Sequence, residues 1–276
     1  MIKVENVSFT YENTENGAAI LDNSTQISKG ETVLLCGESG SGKTTFSRLI
    51  NGLIPNYYEG TLAGKVQVKN VIPEEVELHE LAPYVGSVFQ NPKAQFYTLV
   101  TDTEIVFSCE NMGMERKDIL TRFDNTVIAM RLEPLLGRNL FTLSGGEKQK
   151  IACASVDVLQ PGILLLDEPS ANLDYEATES LRKMLLAWKN AGKTILIAEH
   201  RISYVWDLVD RVIILKNGSL KKELHRSEIA GFTEEDATRY GLRSIQRVPP
   251  TDMVSKIAER AVRSKKCFSL KNFHYS

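Results

Sequence analysis

The chain has 276 residues, of which 42% are hydrophobic and 25% charged, and its formal net charge is −2. This composition is typical of a soluble globular protein, and the charge argues against a nucleic-acid-binding protein, which usually carries a basic excess. No apolar run approaches the ~18 residues of a membrane-spanning helix, and the first residues lack a secretory signal, so we expect a cytoplasmic protein. The cysteines at 36, 109, 153 and 267 form no C-x-x-C pair, which favours buried, reduced thiols.

Strands and helices alternate along most of the chain. Apolar runs predict strands at 2–9, 31–36, 84–90, 162–166 and 194–198, and helical patterns occupy 43–51, parts of 102–158, and 175–190. Residues 211–224 predict a hairpin, because Asn217-Gly218 suits a tight turn. The alternation predicts an α/β fold with a mainly parallel central sheet, and the helical stretch in the middle suggests an inserted helical subdomain at about 91–158.

A glycine-rich segment joins the predicted strand 31–36 to the helix 43–51. It fits the phosphate-binding pattern G-x-x-x-x-G-K-[ST], whose glycines let backbone N–H groups converge on phosphate oxygens. The candidate nucleotide-binding residues are Gly37, Glu38, Ser39, Gly40, Ser41, Gly42, Lys43, Thr44 and Thr45. Lys43 would reach the β and γ phosphates, and the Thr44 hydroxyl would ligate Mg²⁺. The alternative is a glycine-rich turn with a solvated lysine.

The apolar strand at 162–166 leads into two carboxylates, Asp167 and Glu168. Ligands of open α/β sheets bind at the carboxyl ends of the strands, so Asp167 is a candidate Mg²⁺ partner. Glu168 is the candidate to orient or deprotonate an attacking water. Without the phosphate loop, the same pair would indicate only the start of a solvated loop.

A second anion site is predicted at Leu143-Ser144-Gly145-Gly146-Glu147-Lys148-Gln149. Ser144 can cap a helix that runs to about Val158, and the glycines expose backbone N–H groups at its positive end. The alternative is an ordinary capped helix.

With these three motifs, residues 1 to about 225 resemble the ATP-binding-cassette (ABC) ATPase family. The resemblance implies a P-loop NTPase fold that adds an antiparallel β subdomain to the parallel sheet and the helical subdomain. In that family the LSGGEKQ stretch is the signature motif, so the resemblance implies that Ser144, Gly145, Gly146 and Glu147 face ATP bound by a second ATPase domain. ATP and Mg²⁺ are the implied ligands, and a homodimer, a heterodimer or a tandem within one chain would supply the second domain.

The resemblance also implies roles for single residues. Tyr11 matches the aromatic residue that stacks on adenine, with Phe9 as a second candidate and a core aromatic as the structural alternative. Gln90 matches the glutamine that contacts Mg²⁺ and senses the γ phosphate. Asp174, in SANLD, matches the loop that crosses to the partner. His200 matches the switch histidine, and with Glu168 and Lys43 it completes the expected catalytic set.

Residues 85–111, VGSVFQNPKAQFYTLVTDTEIVFSCEN, narrow the resemblance. They are similar to the matching segment of the energy-coupling-factor (ECF) transporter ATPases, which import vitamins and transition-metal ions. Residues 51–66 also resemble that group. The resemblance implies a place on the cytoplasmic face of the membrane, a transmembrane coupling protein bound at 91–96, and a separate substrate-binding membrane protein. A surface loop is the alternative for 91–96.

The predicted domains follow from this resemblance. We expect the ATPase domain at 1–242, a linker or helix at 243–266, and a possible first strand of a second ABC domain at 267–276, because 270–276 align with 4–10. Two other functions stay open: an ABC ATPase that acts on ribosomes or DNA, and a module that binds ATP without turnover. The near-neutral charge and absent basic arm count against nucleic acid as a partner.

Overall fold

The computed structural model describes residues 2–12 and 19–246. The strands in this part of the chain are β1 (Ile2–Tyr11), β2 (Ile20–Ile27), β3 (Thr32–Cys36), β4 (Gly60–Val68), β5 (Val85–Val88), β6 (Ile163–Asp167), β7 (Thr194–Ala198), β8 (Arg211–Lys216) and β9 (Ser219–His225). The α-helices are α1 (Lys43–Ile50), α2 (Leu53–Asn56), α3 (Leu78–Leu81), α4 (Thr101–Asn111), α5 (Arg116–Met130), α6 (Gly145–Asp157), α7 (Tyr175–Asn190), α8 (Arg226–Ile229) and α9 (Glu234–Arg239). Of the linker or helix predicted at 243–266, only residues 243–246 are described, and the possible strand at 267–276 lies outside the described residues.

The central sheet has the strand order β5-β6-β7-β3-β8-β9 and is parallel except for the β8–β9 hairpin. This confirms the predicted α/β fold. Asn217 and Gly218 have φ angles of 50° and 74°, which a tight hairpin turn requires. A second, antiparallel sheet has the order β2-β1-β4. Apolar periodicity did not predict β2 and β4, because polar residues dominate β2 and glycines interrupt β4.

The strands of the central sheet are apolar because both of their faces are covered. All five residues of β3 are buried. Leu34 and Cys36 pack into a core on the side of the helical subdomain, whereas Val33 and Leu35 pack against the antiparallel sheet and α1. Each such buried aliphatic side chain contributes about 1.5–3 kcal/mol, so β3 is held firmly between the two cores.

The helical subdomain contains α4, α5 and α6; Gly113 lies between α4 and α5, and Pro134 and Gly137 lie between α5 and α6. The thiols of Cys36, Cys109 and Cys153 are buried and reduced, as expected, and Cys267 lies outside the described residues.

No helix in residues 2–12 and 19–246 combines the length and apolarity that crossing a membrane requires.

The parallel strands bring four predicted site segments to one edge of the central sheet. Since β3, β5, β6 and β7 run in the same direction, the residues that follow them share the carboxyl edge. Gly37, Gln90, Glu168 and His200 come one or two residues after these strands. The fold therefore gathers residues that are more than a hundred positions apart in the chain.

Candidate active site

The phosphate loop joins β3 to α1 through backbone that favours glycine. Gly37 and Gly42 have φ angles of 151° and 103°. A Cβ atom at Gly37 would lie 2.2 Å from the carbonyl oxygen of Leu215, and one at Gly42 would lie 2.7 Å from that of Ala19. These contacts exclude any side chain at either position, and the loop depends on its glycines for steric reasons.

Lys43 begins α1, and its side chain is directed over the loop. Its Nζ donates to the carbonyl oxygens of Gly37 and Glu38 at 3.1 and 2.9 Å. Burial lowers the pKa of the Lys43 ammonium, while Glu168 and Asp167 act in the opposite direction. The ammonium therefore lies within the electrostatic range of both carboxylates, where a nucleotide phosphate can replace the carbonyl partners.

Asp167 ends β6 and contacts the phosphate loop. The Thr44 hydroxyl donates to Asp167 Oδ1 at 3.1 Å, and burial raises the pKa of the Asp167 carboxyl. Hydroxyl, carboxylate and amide oxygens are the hard donors that Mg²⁺ prefers, and Mg²⁺ usually takes few protein ligands beside phosphates and waters. The oxygens of Thr44 and Asp167, with the amide oxygen of Gln90, have the chemistry of such a site.

Glu168 has a φ angle of 44°, in the left-handed region that non-glycine residues rarely adopt. Its backbone N–H donates to the carbonyl of Ala198 at 2.8 Å, which continues the β6–β7 ladder and holds this conformation. Such backbone strain costs about 1–3 kcal/mol and concentrates at functional sites.

Two side chains from neighbouring strands meet the Glu168 carboxylate. Gln90 Nε2 donates to Oε2 at 2.8 Å, and His200 Nε2 lies 3.1 Å from Oε1. Burial lowers the pKa of the His200 imidazole; the charges of Lys43 and Arg243 act in the same direction, and Glu168 in the opposite one. A neutral imidazole that donates from Nε2 satisfies this geometry. The carboxylate is thus oriented from both sides.

A cavity of about 510 Å³ opens at this edge of the sheet. It is lined by Gly37, Glu38, Ser39, Gln90, Glu168, Glu199, His200, Ile202, Gly241, Leu242 and Arg243. It thus combines phosphate-loop backbone with the predicted carboxylate, glutamine and histidine. Such an arrangement has the donors and the carboxylate needed to bind phosphate groups and to orient a water beside them.

The predicted signature motif begins α6. Ser144 is the N-cap: its Oγ accepts from the N–H of Glu147 at 3.3 Å, and its own N–H donates to Glu147 Oε2 at 2.7 Å. Glu147 also forms a 2.7 Å ion pair with Arg138. A Cβ atom at Gly146 would lie 2.6 Å from the Cβ of Ala177 in α7, so this glycine permits close packing of the two helices.

Within the described part of the chain, residues 144–147 are absent from the lining of the cavity beside the phosphate loop. The chain therefore does not bring its own signature onto that cavity. Asp174 caps α7, where its Oδ1 accepts from the N–H of Ala177 at 2.8 Å.

The structure also places the candidate aromatic residues. Tyr11 ends β1, its hydroxyl is 3.1 Å from Thr45 Oγ1, and it accepts from Arg48 at 3.0 Å. Tyr11 is half-buried beside the phosphate loop, and its stacking on adenine stays a prediction. The second candidate, Phe9, was wrong as a stacking residue, because its side chain is fully buried in the core.

Sequence reasoning missed Glu199. It follows β7 directly and is 1% exposed, yet it carries a carboxyl group that accepts from Ser170 Oγ at 2.9 Å. Burial raises the pKa of this carboxyl, which its hydrogen bonds partly oppose. The available signal was a charged residue directly after a strand of five buried residues.

Fold and site together define a phosphate-loop nucleotide triphosphatase. The comparisons with known proteins give the family. The profile of the family described as "ABC transporter" matches residues 20–171, more than half of the chain. The chain belongs to the ABC transporter family, as an ATPase cassette of that family.

Two curated relatives show the extent of the similarity. A putative ABC transporter ATP-binding protein of Treponema denticola is 46% identical over 224 residues, which are 81% of this chain and 46% of the relative. A protein of the same description from Pyrococcus abyssi is 35% identical over 267 residues, 96% of this chain and 95% of the relative. The chain spans about half the length of the first curated relatives that it matches.

Two solved structures confirm the cassette fold. CbiO1 of Clostridium perfringens, described as part of the ABC transporter complex cbiONQ, has a TM-score of 0.74 and 28% identity, and the match covers 86% of this chain and 92% of that one. The dimeric cassette MJ0796, bound to ADP and phosphate, has a TM-score of 0.69 and 28% identity, with coverage of 82% and 98%.

Proposed function

We propose that the chain is the ATP-hydrolysing cassette of a membrane importer of the ECF type, which takes up a vitamin or a transition-metal ion. The observation that carries hydrolysis is the Glu168 carboxylate, held between Gln90 and His200 at the mouth of the phosphate loop. A module that only binds ATP needs no such oriented base. Transport of the ECF type is supported by residues 85–111 and by the likeness to CbiO1.

The proposed reaction is an in-line attack of water on the γ phosphate. The loop N–H groups and Lys43 hold the phosphates, and Glu168 orients the water and accepts its proton. His200 Nε2 lies 3.1 Å from Glu168 Oε1, and in the proposed reaction the same N–H donates to the γ phosphate once a second cassette covers the site. Bound Mg²⁺, held by Thr44, Gln90 and Asp167, would neutralise charge on the phosphate oxygens.

The site is completed by a second cassette. Because the cavity is not lined by the chain's own 144–147 segment, we propose that the signature of a partner covers the phosphate there. The dimeric structure of MJ0796 supports such pairing. The partner is a second copy, a related cassette, or a second cassette of the same polypeptide. The last is supported by two relatives of which the matched residues make up only 46% and 56%.

A groove near the predicted coupling region supports docking to a membrane protein. Its volume is about 200 Å³, and its lining includes Gln95, Tyr97, Phe107, Val156 and Leu159. Gln95 is fixed there by bonds to Phe89 N and Ala152 O, both 3.3 Å. Tyr97 is 77% exposed and stacks on Phe107 with a ring-centroid distance of 5.1 Å. Exposed aromatic residues beside an apolar groove are typical of protein interfaces. We propose that transmembrane coupling helices bind here, at the cytoplasmic face of the membrane, and that a separate membrane protein binds the cargo.

The test is a pull-down of the tagged protein from detergent-solubilised cells of its source, with the eluate identified by mass spectrometry. We expect integral membrane proteins. Tyr97→Glu should abolish their capture, because a charge would face the apolar groove. Tyr57→Glu is the matched control, since Tyr57 is 70% exposed and lies outside the groove lining. Ribosomal proteins or DNA in place of membrane proteins would overturn the transport function.

A further inference from the structure

A buried carboxylate links the histidine of the active site to the loop that leads to Asp174. Glu199 Oε1 accepts from Ser170 Oγ at 2.9 Å, from the N–H of His200 at 3.2 Å and from the N–H of Arg201 at 3.0 Å. Its Oε2 lies 3.4 Å from the Ser170 N–H. One carboxylate therefore accepts backbone N–H groups from two loops, residues 170–173 and residues 199–201.

Arg201 makes the return connection. Its guanidinium donates from NH1 to the carbonyl oxygens of Ser170 and Leu173, both at 2.9 Å. These carbonyls begin and end the turn that precedes Asp174, the N-cap of α7. NH1 carries two N–H groups, which is enough for both acceptors, so one nitrogen of Arg201 holds the two ends of the turn. We call Glu199, Arg201 and Ser170 the loop clamp.

The position of the loop clamp indicates a role beyond stabilising the fold. Buried charges are rarely a net source of stability, because desolvation offsets their attraction. His200 contacts Glu168 in the active site. The hydrogen bonds of the loop clamp join Glu199, the residue before His200, to the turn that precedes Asp174. A fully hydrogen-bonded buried network moves as a unit, so a shift of His200 changes the acceptors on which the turn depends.

We propose that Glu199 and Arg201 are positioning residues that couple His200 to the 170–174 loop, so that the nucleotide state of one site is transmitted to the partner cassette. This inference rests on the proposed pairing of cassettes. Neither side chain acts on the reacting atoms; Glu199 orients the histidine, and Arg201 orients the loop. Such coupling is a free energy between two sites and appears as cooperativity in ATP hydrolysis.

The test measures ATP affinity, kcat and the Hill coefficient in the purified full-length protein under conditions where the cassettes pair. Glu199→Ala removes the four contacts from Ser170, His200 and Arg201, and also the 3.5 Å contact from the Tyr204 hydroxyl to Oε2. We expect kcat to fall by about tenfold or more and the Hill coefficient to approach one, while ATP affinity changes by less than about threefold, because the phosphate loop is untouched. Glu199→Gln should restore most of both values, since its amide oxygen can accept the bonds made by Oε1.

Two further variants separate positioning from folding. Arg201→Met keeps the apolar stem and loses both carbonyl contacts, so the Hill coefficient should fall more than kcat. Glu31→Ala is the matched control: Glu31 pairs with Arg211 at 2.8 Å beside the amino end of β3, away from the site, and its loss should lower the melting temperature only. If Glu31→Ala changes cooperativity as much as Glu199→Ala, or if Glu199→Ala keeps the parent Hill coefficient, the inference is wrong. A parent protein that hydrolyses ATP with a Hill coefficient of one also overturns the coupling, whereas a parent that hydrolyses no ATP overturns the proposed function.

Discussion

Replacement of Glu168 by glutamine tests the assignment of the catalytic base. The substitution keeps the side-chain length and one acceptor oxygen, so either the 3.1 Å contact with His200 or the 2.8 Å contact with Gln90 can persist. It removes the negative charge and the capacity to accept a proton. Loss of a positioned base slows proton transfer by about 10²–10⁴-fold, which is about 2.7–5.4 kcal/mol on the barrier.

A purely structural role for Glu168 would give a smaller effect. Loss of one hydrogen bond costs about 0.5–1.5 kcal/mol, which corresponds to a change of about tenfold at most. The size of the fall in kcat therefore separates the two roles. ATP affinity should change by less than about threefold, because Lys43 and the loop glycines are unaltered.

The assay is phosphate release over a range of ATP concentrations, combined with size-exclusion chromatography in the presence of ATP. We expect Glu168→Gln to bind ATP, to hydrolyse it at least about a hundredfold more slowly, and to accumulate as an ATP-bound cassette pair. Glu31→Gln, at the opposite edge of the sheet, is the control and should hydrolyse ATP at the parent rate. A fall of only a few fold in Glu168→Gln would refute the base assignment.

Three further predictions follow from single contacts. Lys43→Ala should weaken ATP binding by about tenfold or more, because a charge-assisted hydrogen bond is worth about 1.5–3 kcal/mol. Titration calorimetry measures this affinity, and an unchanged value would contradict the prediction. Gly146→Ala should destabilise the fold by about 1–3 kcal/mol in urea unfolding, because its Cβ would lie 2.6 Å from that of Ala177. Gly145→Ala is its control, since the nearest atom there is at 3.4 Å, and equal losses would refute the packing argument. The pKa of His200 is lowered from 6.5 in the folded state, so the unfolded chain binds more protons than the folded chain just below pH 6.5. The neutral imidazole therefore contributes its full stability above about pH 6.5. This stability is lost as the pH falls through the folded-state pKa. His200→Gln should flatten this part of the melting-temperature profile between pH 5 and 7, and an unchanged profile would show that the imidazole titrates normally.

Much of the fold was predictable because its signals are local. A few neighbouring residues were enough to predict the strand TVLLC, the turn at Asn217-Gly218 and the helix cap at Ser144. The structure confirms all three. The strands β2 and β4 escaped prediction because few of their side chains are buried in the core. β2 pairs with its neighbour β1, but β4 pairs with β1 from about 50 to 66 residues further along the chain, and local periodicity does not report either pairing.

The phosphate loop, the carboxylate strand and the order of the site segments could all be predicted from residue type and spacing, which carry the chemistry of each motif. Which of these residues meet depends on how the sheet is assembled. The parallel sheet places Gln90 and His200 on either side of Glu168, although 78 residues separate the glutamine from the glutamate along the chain. It also buries Glu199 against Ser170, 29 residues away. Such contacts depend on strand order and register, which are properties of the whole packed sheet and of no single segment.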